Sequence, residues 1–390
     1  MPTAVIVDAV RTPGGKRNGK LKNWHPVDLA AEALKAIVSR NSLDPALVDD
    51  VIMGCVSQVG EQAFNVGRSA VLAAGWPESV PATTIDRQCG SSQQALHFAA
   101  QGVISGAYDI VIAAGVEAMS RVAMGSSIGK DAGWPFGPSV TARYEPVGGL
   151  KNQGIGAEMI ADQWDVSRED LDTFSAESHR RAAAAWAEGR FEDELVKVTI
   201  PQRKGDPVVF GSDEGVRADA TAASLGALRP IMKDGVVTAG NASQQNDAAA
   251  ACLVVAEDKL EELGLKPMAF MVGWAAAGCE PGMMGIGPVP AVKRLFARTG
   301  LSWNDIDLVE LNEAFACQVL AVLKGWGWDE RERLNVNGGA IAVGHPFGMT
   351  GARITTTLLN SLQFHNATLG LETMCVGGGQ GMAMIFERLS

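Results

Sequence analysis

Residues 29–54 read LAAEALKAIVSRNSLDPALVDDVIMG, an amphipathic helix pattern, a short loop with an acidic turn, then an apolar strand. Residues 289–312, VPAVKRLFARTGLSWNDIDLVELN, read the same way. Leu43 matches Leu301, Asp49 matches Asp307 and Val51 matches Val309, with one offset of 258 residues throughout. An offset kept through helix, loop and strand signals a duplication. Helices of ordinary length alternate with short β-branched runs such as 110–114 and 307–311, which predicts layered α/β structure. Two similar α/β halves are expected.

Between the halves the texture changes. From about Met119 to Gly240 the chain is rich in glycine, proline and charge, with one clear helix around Ser167 to Glu188 and few strand-like runs. This stretch reads as an inserted loop domain. The expected division is residues 1–118 with 241–268 for the first half, 119–240 for the insert and 269–390 for the second half. The fragment GIGAEM in the insert lacks both a leading strand and the third glycine of a dinucleotide fingerprint, so a Rossmann site is rejected.

Composition narrows the function classes. The chain has 390 residues, of which 47% are hydrophobic and 20% charged, enough for a large buried core. It contains no run of the roughly 18 apolar residues that a membrane helix requires, and its N-terminus passes directly into strand-like alternation. A cytoplasmic protein without membrane attachment is expected. The formal charge of −11 argues against nucleic acid, because neutralising phosphates takes a basic surplus. Cys55, Cys89, Cys252, Cys279, Cys317 and Cys375 stand singly, and the five histidines are scattered, so reduced thiols and no metal are expected.

Four segments carry chemistry. In DRQCGSSQQALHFAAQGVISG, Cys89 precedes a nearly all-apolar helix, where free backbone N–H groups and the helix dipole favour a thiolate and are expected to draw the pKa below the roughly 8.5 of a free thiol. The bland alternative is a small buried hydrophobe. His345, in NVNGGAIAVGHPFGMTGARITTTLL, also follows a glycine-rich turn before a helix, at nearly the repeat offset from Cys89. Packed about a pseudo-twofold, the halves would point cysteine and histidine into one cleft, as base-activated attack requires; alone, the histidine could simply cap a turn. Cys375 precedes a glycine cluster in ETMCVGGGQGMAMIFE, where free N–H groups could serve an oxyanion, or where a tight hairpin could hold an incidental core cysteine. Asn312 and Glu313 of LNEAFA end a strand, and Asn312 would otherwise read as a helix cap.

Taken together, these segments and VIVDAVRTPGGK resemble the thiolase family over essentially the whole chain, with four separated motifs in the right order. The resemblance implies a five-layered α/β/α/β/α fold built from two duplicated halves, assembled as a homodimer or homotetramer. Position by position, Cys89 matches the acylated nucleophile, His345 the base that activates it, and Cys375 the second acid/base. Asn312 matches the residue that holds a water in one oxyanion hole together with His345, and the backbone N–H groups of Cys89 and Gly377 would form the other. VRADATAASLGALRP and GVVTAGNAS resemble the coenzyme A contact region, with Arg217 towards the adenine and phosphate end and Ser224 and Ser243 along the pantetheine.

The implied activity is thiolysis of 3-oxoacyl-CoA to acyl-CoA and acetyl-CoA by a ping-pong cysteine mechanism, in fatty-acid or bulky side-chain degradation. No tightly bound cofactor is implied; coenzyme A and acyl-CoA are the small-molecule partners. The alternative is a biosynthetic acetoacetyl-CoA thiolase. A decarboxylating ketosynthase would need Cys-His-His, and a non-enzymatic carrier would have lost a reactive group. The sequence departs from the family at NQG (152–154) in place of a histidine-containing HMG, at CGSS (89–92) and at NASQQND (241–247). Asn152 is read as opening the acyl pocket to longer or bulkier chains, and the NQ of 152–153 and GEQ of 60–62 resemble thiolases that degrade bulky or branched acyl chains.

Overall fold

Each half turns the duplicated pattern into the same arrangement of strands. In the computed structural model, which describes residues 2–128, 133–202 and 204–389, the first half runs β1 (Ala4–Arg11), β2 (Gly15–Lys16), α1 (Pro26–Arg40), β3 (Asp50–Gly54), α2 (Val66–Ala73), β4 (Ala82–Ile85), α3 (Ser91–Ile104) and β5 (Ile110–Ala118). The chain then leaves for α4 (Pro138–Tyr144), α5 (Gln153–Gln163), α6 (Arg168–Ala187), β6 (Val198–Ile200), β7 (Val208–Phe210) and α7 (Ala222–Gly226), and returns with β8 (Asn246–Ala256). After α8 (Leu260–Leu263) come β9 (Ala269–Gly278), α9 (Pro288–Thr299), β10 (Leu308–Leu311), α10 (Ala316–Trp326), α11 (Ala340–Val343), α12 (Thr350–Phe364), β11 (Leu369–Val376) and β12 (Gln380–Arg388).

The strand order of the first half is β4-β3-β5-β8-β1, parallel from β4 to β5 and antiparallel thereafter. The second half repeats it as β10-β11-β12-β9, with β10 and β11 parallel, the rest antiparallel, and Leu334 bridging β10 in parallel where β4 would stand. A short antiparallel seam, Val5 to Phe270 and Ile6 to Ala269, joins the halves into one hydrogen-bonded sheet. That continuity leaves no trace in the repeat.

Helices α1 and α2 cover the outer face of the first half, α9 and α10 that of the second, and α3 and α12 lie between, giving five layers. The central pair is buried because its residues are small or apolar almost all round: Ala95, Leu96, Ala99, Ala100 and Val103 on α3, and Ala352, Ile354, Leu358, Leu359 and Leu362 on α12. Threonines survive on α12 because Thr355 and Thr356 return their hydroxyls to the carbonyls of Gly351 and Ala352. Gly351 is required, since a Cβ there would collide with the backbone N of Gln93. The two helix starts are further tied by Ala352 N–H donating to Ser92 Oγ at 2.9 Å.

The helix expected at Ser167–Glu188 is α6, started by a reciprocal capping box between Ser167 and Asp170. The insert packs on both halves: Val198 and Phe210 join the first core, and Ala157, Ile160, Leu171 and Phe174 the second. The fully buried Arg11 of β1 pairs with Glu194 at 2.5 Å and Asp213 at 2.8 Å, both from the insert. Residues 241–243, placed by sequence with the first half, pair instead with 314–316 of the second, through Ala242 opposite Phe315 and Ser243 N–H to the Ala314 carbonyl. Among the described residues no helix is long and apolar enough to cross a membrane, and no group of three or more His, Cys, Asp or Glu is placed to hold a metal ion.

Candidate active site

The turn 86–90 presents Cys89 at the foot of α3. Gln88 sits in the left-handed region at φ 47°, uncommon for a side chain that bears a Cβ. The turn is held by Gln88 N–H donating to Asp86 at 2.6 Å and by Ser91 Oγ, which accepts from Arg87 N–H and donates to the Gln88 carbonyl at 2.6 Å. Cys89 is only 4% exposed. The backbone N–H groups of Gly377 and of Cys89 itself point at its sulfur, yet burial outweighs them and pushes the thiol up to about 12. This corrects the expectation of a lowered pKa. The local helix-end effect is real, but desolvation in the closed site is larger, so Cys89 rests as a thiol and needs a base.

The His345 turn is shaped by its backbone. Gly344 takes φ 102° and a Cβ on it would strike the Asn246 amide, so only glycine lets the turn lie on Asn246. Asn246 Oδ1 accepts the His345 N–H at 3.1 Å. His345 Nδ1 lies 2.7 Å from Thr350 Oγ1, whose own hydroxyl proton goes to the Pro346 carbonyl at 2.8 Å. With that proton spent, Thr350 can only accept, so Nδ1 carries the imidazole proton and Nε2 presents its lone pair. Burial, followed by the charge of Arg353, pulls His345 down to about 3, which makes it a neutral imidazole at working pH.

The remaining groups converge on this pair. Asn312 follows β10 and places Nδ2 3.4 Å from His345 Nε2, with its Oδ1 lacking a hydrogen-bond partner among the described residues. Helix α10 is capped at Phe315, so the helix-cap reading of Asn312 is withdrawn. Phe347 lies edge-on to His345 at 4.9 Å and packs against the cluster that holds Cys89. Cys375, near the end of β11 and directly opposite Gly381, is fully buried; desolvation and then the nearness of Cys89 raise its thiol well above the ordinary value. The hairpin turn 377–379 follows, with Gly377 beside Gln88 and Gln153. Cys89, His345, Cys375, Asn312 and Gly377 therefore share one cleft.

The expected coenzyme A residues do not enter that cleft. Arg217 and Ser224 are exposed; Arg217 N–H donates to His179, and the Ser224 hydroxyl completes the capping box of α7 with Thr221. Ser243 is half-buried next to Gln244, whose amide reaches the carbonyls of Gly215, Ile341 and Ala342. Of the three, Ser243 is the one that stands next to a residue bonded to the loop before His345. Asn152 is an exposed N-cap of α5, accepting from Ile155 N–H at 2.9 Å, and its neighbour Gln153 is the residue that faces Gly377. Gln62 of GEQ is fully buried in the scaffold, bonded to Glu117, Ser57 and Ala118. Asn152, expected at the acyl pocket, is occupied by the local bond that caps its own helix.

Sequence reasoning missed three supports. The buried Glu117 carboxylate accepts from the backbone N–H groups of Val56, Ser57 and Gly348 and from Gln62, tying β5 to the turn after His345. Asn246 seats His345. Glu313 accepts from Ser178 Oγ, Asn335 Nδ2 and Ile341 N–H, fixing the loop that precedes the His345 turn. The one available signal was a charged or amide residue inside or beside an otherwise apolar strand, as at VIAAGVEA for Glu117.

Known proteins match the chain from end to end. The family models described as "Thiolase, N-terminal domain" and "Thiolase, C-terminal domain" match residues 4–258 and 265–388. The chain is 45% identical to a 3-ketoacyl-CoA thiolase of Aeromonas hydrophila, with all of both chains covered. It is also 45% identical to an acetyl-CoA acetyltransferase of Chromobacterium violaceum, covering 98% of this chain and 99% of that one. The crystal structure of the Bacillus anthracis acetyl-CoA acetyltransferase superposes with a TM-score of 0.90 at 42% identity, covering 100% and 99% of the two chains. With both domain models in sequence and full-length likeness in fold, the chain belongs to the thiolase family.

Proposed function

We propose that the protein is an acetyl-CoA acyltransferase that cleaves 3-oxoacyl-CoA with coenzyme A. The observation that carries this reading is the fixed tautomer of His345: a neutral imidazole with its Nε2 lone pair free, in one buried cleft with two thiols that both rest protonated. His345 takes the Cys89 proton as the sulfur attacks the 3-oxo carbon. The C2–C3 bond breaks with its electron pair on the acetyl-CoA fragment, and Cys375 protonates that carbon. Acyl-Cys89 remains. Coenzyme A then loses its thiol proton to the Cys375 thiolate and attacks the acyl group, while Cys89 leaves and regains its proton from His345. The N–H groups of Cys89 and Gly377, which point at the Cys89 sulfur, would hold the thioester oxygen, and Asn312 with His345 would supply the second polar station.

Arg217, Ser224 and Ser243 mark the path along which the coenzyme A moiety would lie. The acyl preference rests on Gln153 in place of Asn152. For assembly as a cytoplasmic homodimer or homotetramer, the supporting features are the unpaired outer edge of β4 and the neighbouring Phe64, 96% exposed. Condensation of two acetyl-CoA uses the same groups in reverse, and the acetyltransferase names among the relatives favour keeping it as the second reading. The test is thiolysis of 3-oxoacyl-CoA substrates from four carbons to polycyclic side chains. A specificity constant that rises beyond acetoacetyl-CoA supports the degradative reading; a maximum at acetoacetyl-CoA supports the biosynthetic one. No turnover of any member, with no acyl adduct on Cys89, would refute both.

A further inference from the structure

Helix α11 is a single turn, too short to hold itself, and it runs straight into Gly344 and His345. Its start is tied by Ile341 N–H donating to Glu313. Its own hydrogen bonds use the carbonyls of Gly339 and Ala340, so those of Ile341 and Ala342 are left over at its end. A side chain distant in sequence takes both. Gln244 Nε2 lies 2.8 Å from the Ile341 carbonyl and 3.1 Å from that of Ala342, and it also reaches the Gly215 carbonyl of the insert at 3.1 Å. Carbonyls on every side fix this nitrogen as the donor end of the amide. The backbone of the same residue meets the histidine, since the Gln244 carbonyl accepts the His345 N–H at 3.2 Å, beside Asn246 Oδ1.

Gln244 is itself held rigidly. Before it, Ala242 stands opposite Phe315 and Ser243 N–H donates to the Ala314 carbonyl, close to Asn312; after it, the Gln245 carbonyl accepts from Arg17 N–H and Asn246 pairs with Lys16. Gly215 closes over the amide from the insert, where a Cβ would collide with Gln244 and with the Ala342 carbonyl. Gln244 belongs to NASQQND, at the place where the family pattern NASG has a glycine and so no side chain to reach α11.

We propose that Gln244 is a positioning residue that acts through His345: its amide pins the end of α11 while its carbonyl seats the histidine backbone, and together they aim the imidazole at the Cys89 thiol. This rests on His345 as the base under the proposed function. Without the amide, the leftover carbonyls of α11 have no second donor among the described residues, the turn gains freedom, and the imidazole spends less time in the geometry that proton transfer requires. Binding should change little. The insert loop beside Gly215 keeps other anchors, Asp213 on Arg11, Glu214 N–H on the Gly14 carbonyl and Arg217 N–H on His179.

The test is rapid-quench mass spectrometry of Cys89 acylation by acetyl-CoA in the full-length protein. Gln244→Met keeps the length of the side chain and removes the donor; Gln244→Gly removes both. Each should acylate about fivefold more slowly at saturation, the effect of roughly one net hydrogen bond, with the half-saturating acetyl-CoA concentration within about twofold of wild type. In a His345→Ala background, where acylation is already slow, neither change should slow it further. A Gln244→Met rate near wild type overturns the proposal, since the side chain would then only fill space. So does a loss carried by substrate affinity, and so does a further fall in the His345→Ala background, which would place the effect elsewhere in the cleft. Should Gln244→Met fail to fold, Gln244→Gly decides by the same rate, affinity and His345→Ala comparisons. Acylation as fast in His345→Ala as in wild type would refute the proposed function itself, whatever Gln244 does.

Discussion

Replacing Thr350 by valine removes one oxygen and almost no volume, and it isolates the tautomer lock on which the proposed chemistry depends. In the native site the Thr350 hydroxyl gives its proton to Pro346 and can only accept from His345 Nδ1, at 2.7 Å. The valine variant leaves that buried N–H without a partner, a loss of about 1–3 kcal/mol. The imidazole has an escape. Among the described residues Asn312 Oδ1 has no hydrogen-bond partner, and it belongs to the amide lying 3.4 Å from Nε2, so an amide flip would let Nε2–H donate to it. If the exchange favours that tautomer by about 1–2 kcal/mol, the share of molecules with a free Nε2 lone pair falls about 5- to 30-fold. The rate of acyl-enzyme formation should fall by that factor, with the KM for coenzyme A unchanged, because the Thr350 hydroxyl is bonded to His345 and Pro346 and, among the described residues, to none of Arg217, Ser224 and Ser243. Thr350→Ser should recover most of the loss. Rapid-quench mass spectrometry of the Cys89 adduct measures the step directly. A valine variant that acylates within twofold of wild type would show that the Thr350 contact does not set the tautomer.

Cys89→Ala should abolish transfer in both directions and leave coenzyme A affinity nearly unchanged, as titration calorimetry would report; strong residual turnover would remove Cys89 from the mechanism. Cys375→Ser should still form acyl-enzyme from acetyl-CoA yet fail in condensation, and near-normal condensation would make Cys375 structural. Gln153→Ala should change the ratio of specificity constants for 3-oxo-octanoyl-CoA and acetoacetyl-CoA, whereas Asn152→Ala should lower only stability, by about 1 kcal/mol for a lost cap; the reverse pattern would restore Asn152 to the pocket. Glu372, raised from 4.5 to about 8, is charged in the unfolded chain but protonated in the folded one between those values, so stability falls as pH rises through that window. Glu372→Gln should therefore lose less Tm than wild type between pH 5 and 8, and parallel melting curves would contradict the assignment.

What the sequence made legible is what local pattern encodes. The offset between residues 29–54 and 289–312 survives because both stretches bury the same helix stripe against the same strand. The helix expected around Ser167 to Glu188 holds as α6 because its start is local, a capping box between Ser167 and Asp170 complete within four residues. The errors lie where the deciding group is far away in sequence. Cys89 has the helix start that lowers a thiol pKa, but its desolvation comes from Ile354, Met374, Val376 and Met382, all in the other half. Glu117 looks like a misplaced charge on an apolar strand until Gly348, from a turn far along the chain, closes over it. Asn152 matched a pocket position by alignment, but an N-cap turns its side chain back to its own helix, and only the backbone direction of α5 shows that Gln153 points inward.

The duplication also accounts for where binding and chemistry sit. In the second half β11 turns into β12 through the short hairpin at 377–379. The equivalent strands of the first half, β5 and β8, pair in the same antiparallel sense, yet between Ala118 and Asn246 stands the whole insert. The insert therefore occupies the place of a glycine turn whose counterpart carries Gly377. Ala118 and Val376 are separated by the same repeat offset, so both connections leave the sheet at matching strand ends, where α3 and α12 also begin and deliver Cys89 and His345. The proposed reacting groups use positions that both halves share, and the proposed coenzyme A residues Arg217, Ser224 and Ser243 lie in the one connection that broke the symmetry. Changes confined to the insert should accordingly alter which thioester is accepted while leaving the acylation of Cys89 intact.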